Sequence, residues 1–257
     1  MIRSRWDQRI RRADELAAEH TFAAEVLRFY SHVTRFQKDL YAGMAGVRND
    51  LSLVSPRFPD FLNHIAAVAP EPMAQCAREL RQCEPSHWRD TLDSFWRDAS
   101  RFQPEPGRAA ELLASMFLQP YAEYLADNNS EQMPGSETFG TCPFCRARPI
   151  AGVLRQEGDG GKRSLICSLC ATEWEIGRMV CAACGEQTVE KLAVYTAEQF
   201  PHVRVEACDT CRYYIKTVDL TKNGNAVPVV DELATIPLNL WAQEHAYVKL
   251  RANLLGI

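Results

Sequence analysis

Four Cys-x-x-Cys pairs lie within 70 residues of this chain, and they limit its possible folds more than any other feature. The gaps between successive pairs are 21, 10 and 23 residues, and the first and third pairs begin 39 residues apart. This long-short-long spacing predicts a doubled unit in which a hairpin joins two pairs. The pairs are Cys142 and Cys145, Cys167 and Cys170, Cys181 and Cys184, and Cys208 and Cys211.

The spacing of the pairs is typical of metal binding. Two thiolates on one tight turn can bind an ion side by side, and a second turn brought up by a hairpin completes a tetrahedron. We therefore expect the first two pairs to bind one ion and the last two pairs a second, although crossed pairing also satisfies the spacing. A Cys-x-x-Cys disulfide closes a very small loop and contributes little in a reducing compartment. A thioredoxin-like site requires one pair in a β-α-β unit, which none of these pairs has.

The pattern leaves the metal open between iron and zinc. Four cysteine thiolates suit Zn²⁺ and also the mononuclear iron of rubredoxin, so ligand softness does not separate the two. Eight thiolates on two divalent ions carry excess negative charge, which the amides of the turns and neighbouring cations can offset. Arg146, Arg148 and Arg178 are the candidates for that role.

The composition indicates a folded protein of one large domain or two ordinary ones, since 257 residues with 46% hydrophobic content can build a packed core. The first thirty residues are polar and Arg-rich and contain no apolar segment of an export signal. We therefore expect a cytoplasmic protein with reduced thiols. No window approaches the roughly 18 consecutive apolar residues of a spanning helix, so we expect no direct membrane insertion.

Charge is nearly balanced in both halves of the chain. Residues 1–140 carry 16 Lys and Arg against 20 Asp and Glu, and residues 141–257 carry 13 against 13, which agrees with the net charge of −4. Neither half predicts a basic surface, so we expect no nucleic-acid partner. A zinc-ribbon nucleic-acid-binding protein would need a basic, aromatic-rich face and is kept only as an alternative function.

Residues 1–134 are predicted to form a helical bundle. In HTFAAEVLRFYSHVTRFQKDLYAG the apolar side chains recur at intervals of three and four, which predicts a helix that ends near Gly43. Further helices are predicted in PRFPDFLNHIAAVAP, in EPMAQCARELRQC and after Ser86, which can cap a helix. RAAELLASMFLQPYAEYLADNN follows a PEPG break at 104–107 and is predicted to be helical with a kink or division at Pro120.

The rest of the chain has the pattern of strands. Residues 128–140 lose all periodicity and predict a linker. PIAGVLRQ, KRSLIC, EKLAVYTAE, HVRVEAC and YYIKTVDL are short runs separated by turns, as in hairpins. The predicted fold is α+β: a helical domain (1–134), two tandem rubredoxin-like or zinc-ribbon-like four-cysteine modules (135–178 and 179–228) and a C-terminal helix packed on them (229–257).

The cysteine-containing half resembles the FdhE family of formate dehydrogenase accessory proteins. The resemblance lies in CPFCRARPIAG at Cys142, CSLCATEW at Cys167, RVEACDTCRYYIKTVDL from Arg204 and DELATIPLNLWAQEHAY from Asp231. It covers about residues 139–250 with every motif in order. One departure is that the first turn of the family usually continues CPxCG, whereas Arg146 occupies the glycine position here. If that turn needs positive φ, the arginine costs about 1 kcal/mol.

The resemblance implies a cytoplasmic accessory factor that is not an enzyme. Members of the family are needed for formate dehydrogenase activity, are thought to engage its molybdenum-containing catalytic subunit, and have rubredoxin-like modules that bind iron. The eight cysteines match the ligands of the family. Arg204, Glu206, Tyr214 and Lys216 match further positions of the family. We expect Glu206 and Lys216 to form a cross-strand ion pair, and Tyr214 and Trp174 to pack over the metal modules.

The sequence is compatible with two further functions and has two more cysteines outside the pairs. No catalytic triad, phosphate-binding glycine loop or HExxH motif is recognisable, which agrees with a protein that is not an enzyme. A rubredoxin-type electron carrier is the main alternative, and a homodimer is compatible with the sequence. Cys76 and Cys83 are predicted to be buried free thiols and not ligands.

Overall fold

The computed structural model describes residues 4–47, 50–99, 108–128, 139–158 and 160–257, and it consists of a helical region followed by one mixed sheet. The helices are α1 (Arg5–Glu19), α2 (Ala24–Ala42), α3 (Phe58–Val68), α4 (Glu71–Arg81), α5 (Pro85–Asp98), α6 (Ala109–Asn128), α7 (Pro228–Ala234) and α8 (Ile236–Glu244). The strands are β1 (Pro149–Glu157), β2 (Gly160–Cys167), β3 (Glu173–Glu175), β4 (Leu192–Thr196), β5 (Val203–Cys208), β6 (Tyr213–Asp219) and β7 (Val248–Lys249).

Helix α6 lies at the centre of the helical region. Most of its side chains are buried, on all sides of the helix, and an evenly apolar helix of this kind belongs in the interior of a bundle. Phe117 packs against Phe58 and Phe61 of α3 at ring-centroid distances of 5.0 and 5.6 Å. The predicted division at Pro120 is wrong, because α6 continues through this residue. Burial on every side stabilises the helix against the loss of one backbone hydrogen bond.

The predicted helices α2 to α6 are present in the structure, apart from the division at Pro120 and one cap. Helix α1 is an addition to the predicted helices. Ser4 is its N-cap, and Ser4 Oγ accepts a hydrogen bond from the N–H of Asp7. Ser86 is not an N-cap, because α5 already begins at Pro85, where proline fits the first turn. The PEPG break and most of the linker predicted at 128–140 lie outside the described residues.

Seven strands of the described chain form a single sheet with the order β3-β2-β1-β6-β5-β4, and β7 pairs with β6. Each half contains three antiparallel strands, and β1 and β6 join the halves in parallel. A Cβ on Gly152 would lie 2.2 Å from Thr217 Oγ1, so only glycine allows the two strands to approach at this position. The two cysteine units therefore share one continuous sheet.

Each half repeats the order of elements that the spacing predicted. A turn with a Cys-x-x-Cys pair, which we call a knuckle, precedes two antiparallel strands, and a second knuckle and a third strand follow them. Strand β3 was not predicted, because its three residues are too few to show alternation. The duplication is therefore visible in the backbone as well as in the cysteine spacing.

The C-terminal segment is not the single helix that was predicted. It forms α7 and α8, which meet at Thr235, and then β7. Pro237 occupies the first turn of α8, where its missing N–H costs nothing. Ala246 has a φ of 60°, so the chain leaves the helix and lets Val248 N–H donate to Arg212 O at 2.8 Å.

Buried ion pairs connect α1 to distant parts of the chain. Arg12 Nη2 lies 2.6 Å from Asp231 Oδ1 of α7, and Arg9 Nη1 lies 2.7 Å from Glu123 Oε1 of α6. His202 Nε2 is a second neighbour of Asp231, at 2.8 Å. Removing one partner of such a pair leaves an uncompensated buried charge, so these contacts fix α1 against both the bundle and the C-terminal segment.

None of the helices in the described residues combines the length and apolar character that crossing a bilayer requires.

Candidate metal centres

The structure places the eight sulfur atoms of the Cys-x-x-Cys pairs in two groups, divided as the spacing predicted. Within each group the ligand atoms all lie within 4.8 Å of one another. The first cysteine group contains Cys142, Cys145, Cys167 and Cys170, and the second contains Cys181, Cys184, Cys208 and Cys211. The crossed alternative is not observed.

The distances between sulfur atoms fit a tetrahedral ion. In the first group Cys142 Sγ lies 3.6 Å from Cys170 Sγ, and Cys145 Sγ lies 3.2 Å from Cys167 Sγ. In the second group the corresponding distances are 3.7 and 3.8 Å. A tetrahedral Zn²⁺ with bonds of about 2.3 Å to sulfur separates its ligands by about 3.8 Å. The second group matches this separation and the first group is up to about 0.6 Å tighter, so both sets of four thiols suit a tetrahedrally coordinated metal.

The knuckles close with a shared backbone pattern. The N–H of the first cysteine donates to the carbonyl five residues later in three of them, as from Cys142 to Ala147 at 2.9 Å and from Cys181 to Glu186 at 2.8 Å. The residue after the second cysteine has positive φ in all four. These residues are Arg146 (64°), Ala171 (55°), Gly185 (80°) and Arg212 (62°).

The positive φ values explain the substitution that set Arg146 apart from the resembling family. The turn does require a left-handed residue, which glycine adopts most readily, and the arginine adopts it here. The same conformation in Ala171 and Arg212 shows that the knuckle tolerates other side chains at this position. Arg146 therefore leaves the shape of the first knuckle unchanged.

Backbone amides of the knuckles point at the sulfur atoms. Leu169 N–H and Cys170 N–H lie 3.4 and 3.5 Å from Cys167 Sγ, and Ala183 N–H lies 3.4 Å from Cys181 Sγ. Hydrogen bonds to the charged form of a group stabilise that form. These amides therefore favour the thiolates that a metal ion needs.

The two groups differ in their exposure to solvent. All four cysteines of the first group are buried and belong to the same hydrophobic cluster as Phe117 and Tyr121 of α6. In the second group Cys184 is exposed and Cys211 is half-buried. The first group thus lies in the core between the helices and the sheet, whereas the second group reaches the surface.

Without a bound cation, burial makes ionised thiolates in the first group energetically unfavourable. It raises the pKa of the Cys167 thiol well above its usual value. Burial also lowers the pKa of Arg251 to about 10, while the charges of Cys167 and Cys145 oppose that shift. Arg251 is therefore a nearby cation that the sequence analysis missed, because it lies 81 positions beyond the last cysteine of the group, Cys170.

The arginines named as charge-offsetting candidates have different surroundings. Arg146 and Arg148 are half-buried, and the Arg148 guanidinium lies 5.8 Å from the ring centroid of Tyr213. The charge of Arg148 further lowers the pKa of Arg251, after the larger effect of burial. Arg178 is exposed and lines a cavity beside Cys181 and Cys208.

The predicted ion pair between Glu206 and Lys216 is wrong. In the antiparallel register Glu206 pairs with Ile215, and Lys216 pairs with Val205, so the two side chains point to opposite faces of the sheet. Glu206 instead accepts hydrogen bonds from Arg163 and Arg204, both at 2.6 Å. Lys216 is completely buried and lies 3.0 Å from Glu232 Oε1.

The two aromatic residues expected over the metal modules have different neighbours. Trp174 is half-buried and packs against the hydrophobic cluster that contains the first cysteine group. Tyr214 is buried in another cluster, with Val205 and Tyr247, on the side of the sheet that α8 covers. Trp174 therefore agrees with the expectation, and Tyr214 belongs mainly to the core under α8.

Cys76 and Cys83 of the helical region are free thiols, but they are half-buried and not fully buried as predicted. Cys76 packs at the edge of the main hydrophobic cluster, and burial raises its pKa. Neither thiol belongs to a group of metal-binding side chains in the part of the chain that the structure describes. They are therefore not ligands of either cysteine group.

Two models of known protein domains match the sheet-forming half of the chain. The sequence model of the FdhE central domain matches residues 141–178, and that of the FdhE C-terminal domain matches residues 179–255. The two matches meet between the second and third knuckles, so each contains one complete cysteine group. Together they span both cysteine groups and the C-terminal segment.

Curated relatives named as FdhE homologues extend the match. The chain is 34% identical to an Aquifex aeolicus protein over 45% of this chain and 41% of that protein. It is 37% identical to a Stutzerimonas stutzeri protein over 77% of this chain and 61% of that protein. It is 27% identical to a Pseudomonas aeruginosa protein over 86% of this chain and 74% of that protein. The first two matches thus span less than two thirds of each relative.

A solved structure shares the whole fold. The crystal structure of the FdhE protein from Pseudomonas aeruginosa superposes with a TM-score of 0.73, at 23% identity, over 99% of this chain and 97% of that one. The likeness includes the helical region, which neither domain match covers. Residues 141–255 thus match two consecutive FdhE domains, and the fold of the whole chain is similar to that of an FdhE protein.

Proposed function

We propose that this chain is a cytoplasmic accessory and assembly factor for formate dehydrogenase that binds the catalytic subunit of that molybdoenzyme. One observation carries the proposal: two FdhE domains each contain one complete group of four cysteines in metal-binding geometry. The matched FdhE models and relatives suggest the role, and metal ions bound at the two cysteine groups would hold the knuckles together for it. The chain acts by binding and catalyses no reaction of its own.

The proposal assigns one metal ion to each cysteine group, within modules 135–178 and 179–228. The first ion is held by Cys142, Cys145, Cys167 and Cys170, and the second by Cys181, Cys184, Cys208 and Cys211. Either ion cross-links two knuckles, and iron would in addition accept and release one electron. The knuckle amides hold the thiolates in place, and the surrounding sheet keeps the two turns of each group together.

Metal analysis and partner capture test the proposal together. Protein purified without oxygen should contain two iron or zinc ions per chain and should retain the purified catalytic subunit of formate dehydrogenase. A variant with Cys208→Ser and Cys211→Ser should lose one ion and most of the retention. If the unmodified protein holds two ions but retains no catalytic subunit, the accessory role through direct binding is refuted. One ion or none would refute the metal assignment instead.

A rubredoxin-type electron carrier is the second candidate, and the exposure of Cys184 favours it. An iron centre near the surface can exchange electrons with a partner, whereas the first group is enclosed. An electron carrier would be red as purified and would bleach reversibly with reductant. A colourless protein with two zinc ions would eliminate this function and leave the accessory role intact.

A further inference from the structure

A cavity of about 160 Å³ opens beside the second cysteine group. Its walls come from residues 178–183, from β4 and β5, and from the start of β6. Alternation along β5 places Arg204 and Glu206 on the side of the cavity, and Val203 and Val205 on the side that packs against α8. The cavity therefore lies on the face of the sheet that α8 leaves uncovered.

The size of the cavity indicates what can occupy it. Its volume is about five times the roughly 30 Å³ that one water molecule occupies in the liquid. Pockets for drug-sized ligands are larger, at roughly 300–1,000 Å³. The cavity suits one or two amino-acid side chains. Met179 and Val194 line it and are 45% and 49% exposed, so its rim is apolar.

Three arginines line the cavity and supply hydrogen-bond donors beside the second cysteine group. Arg163 is buried and satisfied, because it donates to Glu206 and to the carbonyl oxygens of Gly177 and Val180 at 3.0 Å. Glu206 is the one acidic residue among the described lining residues, and it pairs with Arg163 and Arg204, while Arg178 is the third arginine of the lining. The positive surplus of these side chains offsets the negative charge of four thiolates on one divalent ion at the second group, so an anion would be recognised through individual guanidinium groups and not through a net charge.

Two of the three arginines remain accessible to a ligand. Arg178 is exposed, and the side chain of Arg204 is 28% exposed. Arg204 uses Nε and Nη2 to bind one oxygen of Glu206, at 2.9 and 2.6 Å. A carboxylate is the group that such guanidinium donors recognise best in a protein ligand.

The edge of the sheet beside the cavity is open. In the described residues β4 pairs with β5 and with no other strand. An edge strand presents unpaired N–H and C=O groups that an extended peptide can use. Tyr195 faces α8, with its ring 4.4 Å from that of Trp241, so Val194 on the other side is next to the cavity.

We propose that this cavity, its rim of Met179 and Val194, and the edge of β4 together form a docking groove for an extended segment of the catalytic subunit. The segment carries an apolar side chain next to an Asp or Glu: the apolar side chain fills the cavity, and the carboxylate pairs with Arg178 and Arg204. The inference rests on the proposed function, which supplies the partner but not the surface or the recognised chemistry.

Two substitutions in the full-length, metal-loaded protein test the groove. Val194→Asp places a carboxylate on the apolar rim, and Arg178→Glu reverses the charge that faces the ligand. Each should weaken binding of the purified catalytic subunit at least tenfold in a titration by interferometry, since both remove central contacts. Arg178→Lys keeps the charge and should bind within a few fold of the unmodified protein.

Matched controls lie elsewhere on the surface. Leu240→Asp changes an apolar side chain that is 55% exposed on α8, across the sheet, and Arg28→Glu reverses an exposed charge on α2. Both should bind as the unmodified protein does.

As a second probe, synthetic 12-residue peptides that tile the catalytic subunit should include an acidic and apolar competitor. The same peptide with Asn and Gln in place of Asp and Glu should not compete.

The outcomes separate the groove from the function. If the unmodified protein binds the catalytic subunit and the groove variants bind equally well with both metal ions present, the groove is wrong and the proposed function stands. If the unmodified protein does not bind the subunit, the proposed function fails and the groove inference fails with it. Competition by the Asn and Gln peptide at full strength would overturn the assigned role of the carboxylate.

Discussion

The residue after the second cysteine decides the shape of every knuckle. Four different turns place this residue in the left-handed region, and only one of them uses glycine, at position 185. An L-residue in that region costs roughly 1–2 kcal/mol relative to the right-handed form, and glycine pays no such cost. The knuckles therefore store backbone strain at Arg146, Ala171 and Arg212, and metal binding together with the sheet has to outweigh it.

Exchanging glycine and alanine between two knuckles should change stability in opposite directions. Ala171→Gly should raise the free energy of unfolding by up to about 1 kcal/mol, because glycine relieves the positive φ. Gly185→Ala should lower it by about 1 kcal/mol: the added Cβ would lie 3.5 Å from the Phe139 ring, which is ordinary contact, so the cost is conformational. Chemical denaturation of the metal-loaded proteins measures both effects. A loss of stability in both variants would contradict this account.

At the scale of elements, a buried charge cluster fastens the C-terminal segment to the sheet. Glu232 of α7 is completely buried, and its Oε1 lies 3.0 Å from Lys216 Nζ of β6 and 2.5 Å from Lys249 Nζ of β7. Burial alone would raise the pKa of Glu232, but the two ammonium groups outweigh it and lower the pKa to about 2. Asn253 Nδ2 donates to the other oxygen of Glu232 at 3.2 Å.

Lys216 should make stability depend on pH in the alkaline range. Burial lowers its pKa to about 7 in the folded chain, from 10.5 in the unfolded chain. The unfolded chain therefore binds more protons between these values, so stability should rise with pH, by about 2 kcal/mol from pH 7 to 9. Lys216→Met should remove this rise while Glu232 keeps Lys249 as a partner. Urea denaturation at pH 7 and pH 9 measures the free energy of unfolding of each protein. An equal rise from pH 7 to 9 in both proteins would disprove the role of Lys216.

Sequence patterns predicted the elements whose signals are local. The helices from α2 to α6 and five strands follow from apolar periodicity, and the cysteine groups follow from the spacing of the pairs. Helix α1 was not predicted, because its arginines are typical of exposed, polar segments. In the structure Arg9 and Arg12 are buried against Glu123 and Asp231, which lie more than 100 positions away. The parallel pairing of β1 and β6 and the position of Arg251 likewise depend on contacts between distant segments.

At the scale of the whole molecule, the two cysteine groups differ in burial: the first belongs to the main hydrophobic cluster and the second does not. The first group packs against α6 and thus joins the helical region to the sheet, whereas the second lies at the far side and leaves Cys184 exposed. A metal ion at the first group would therefore stabilise the contact between the two regions. An ion at the second would stabilise mainly its own module and the neighbouring docking groove.

The two ions should consequently leave the protein at different rates. With a chelator in excess, one equivalent should be released quickly from the second group, and the other should remain until the core opens, because a buried site exchanges through unfolding. Cys184→Ser should abolish the fast phase and preserve the helical circular-dichroism signal. Cys142→Ser, in contrast, should lower the unfolding temperature of the helices as well, since its sulfur is completely buried in their shared core. Release of both equivalents in one phase, or equal thermal stability of the two variants, would show that the groups are energetically equivalent despite their different burial.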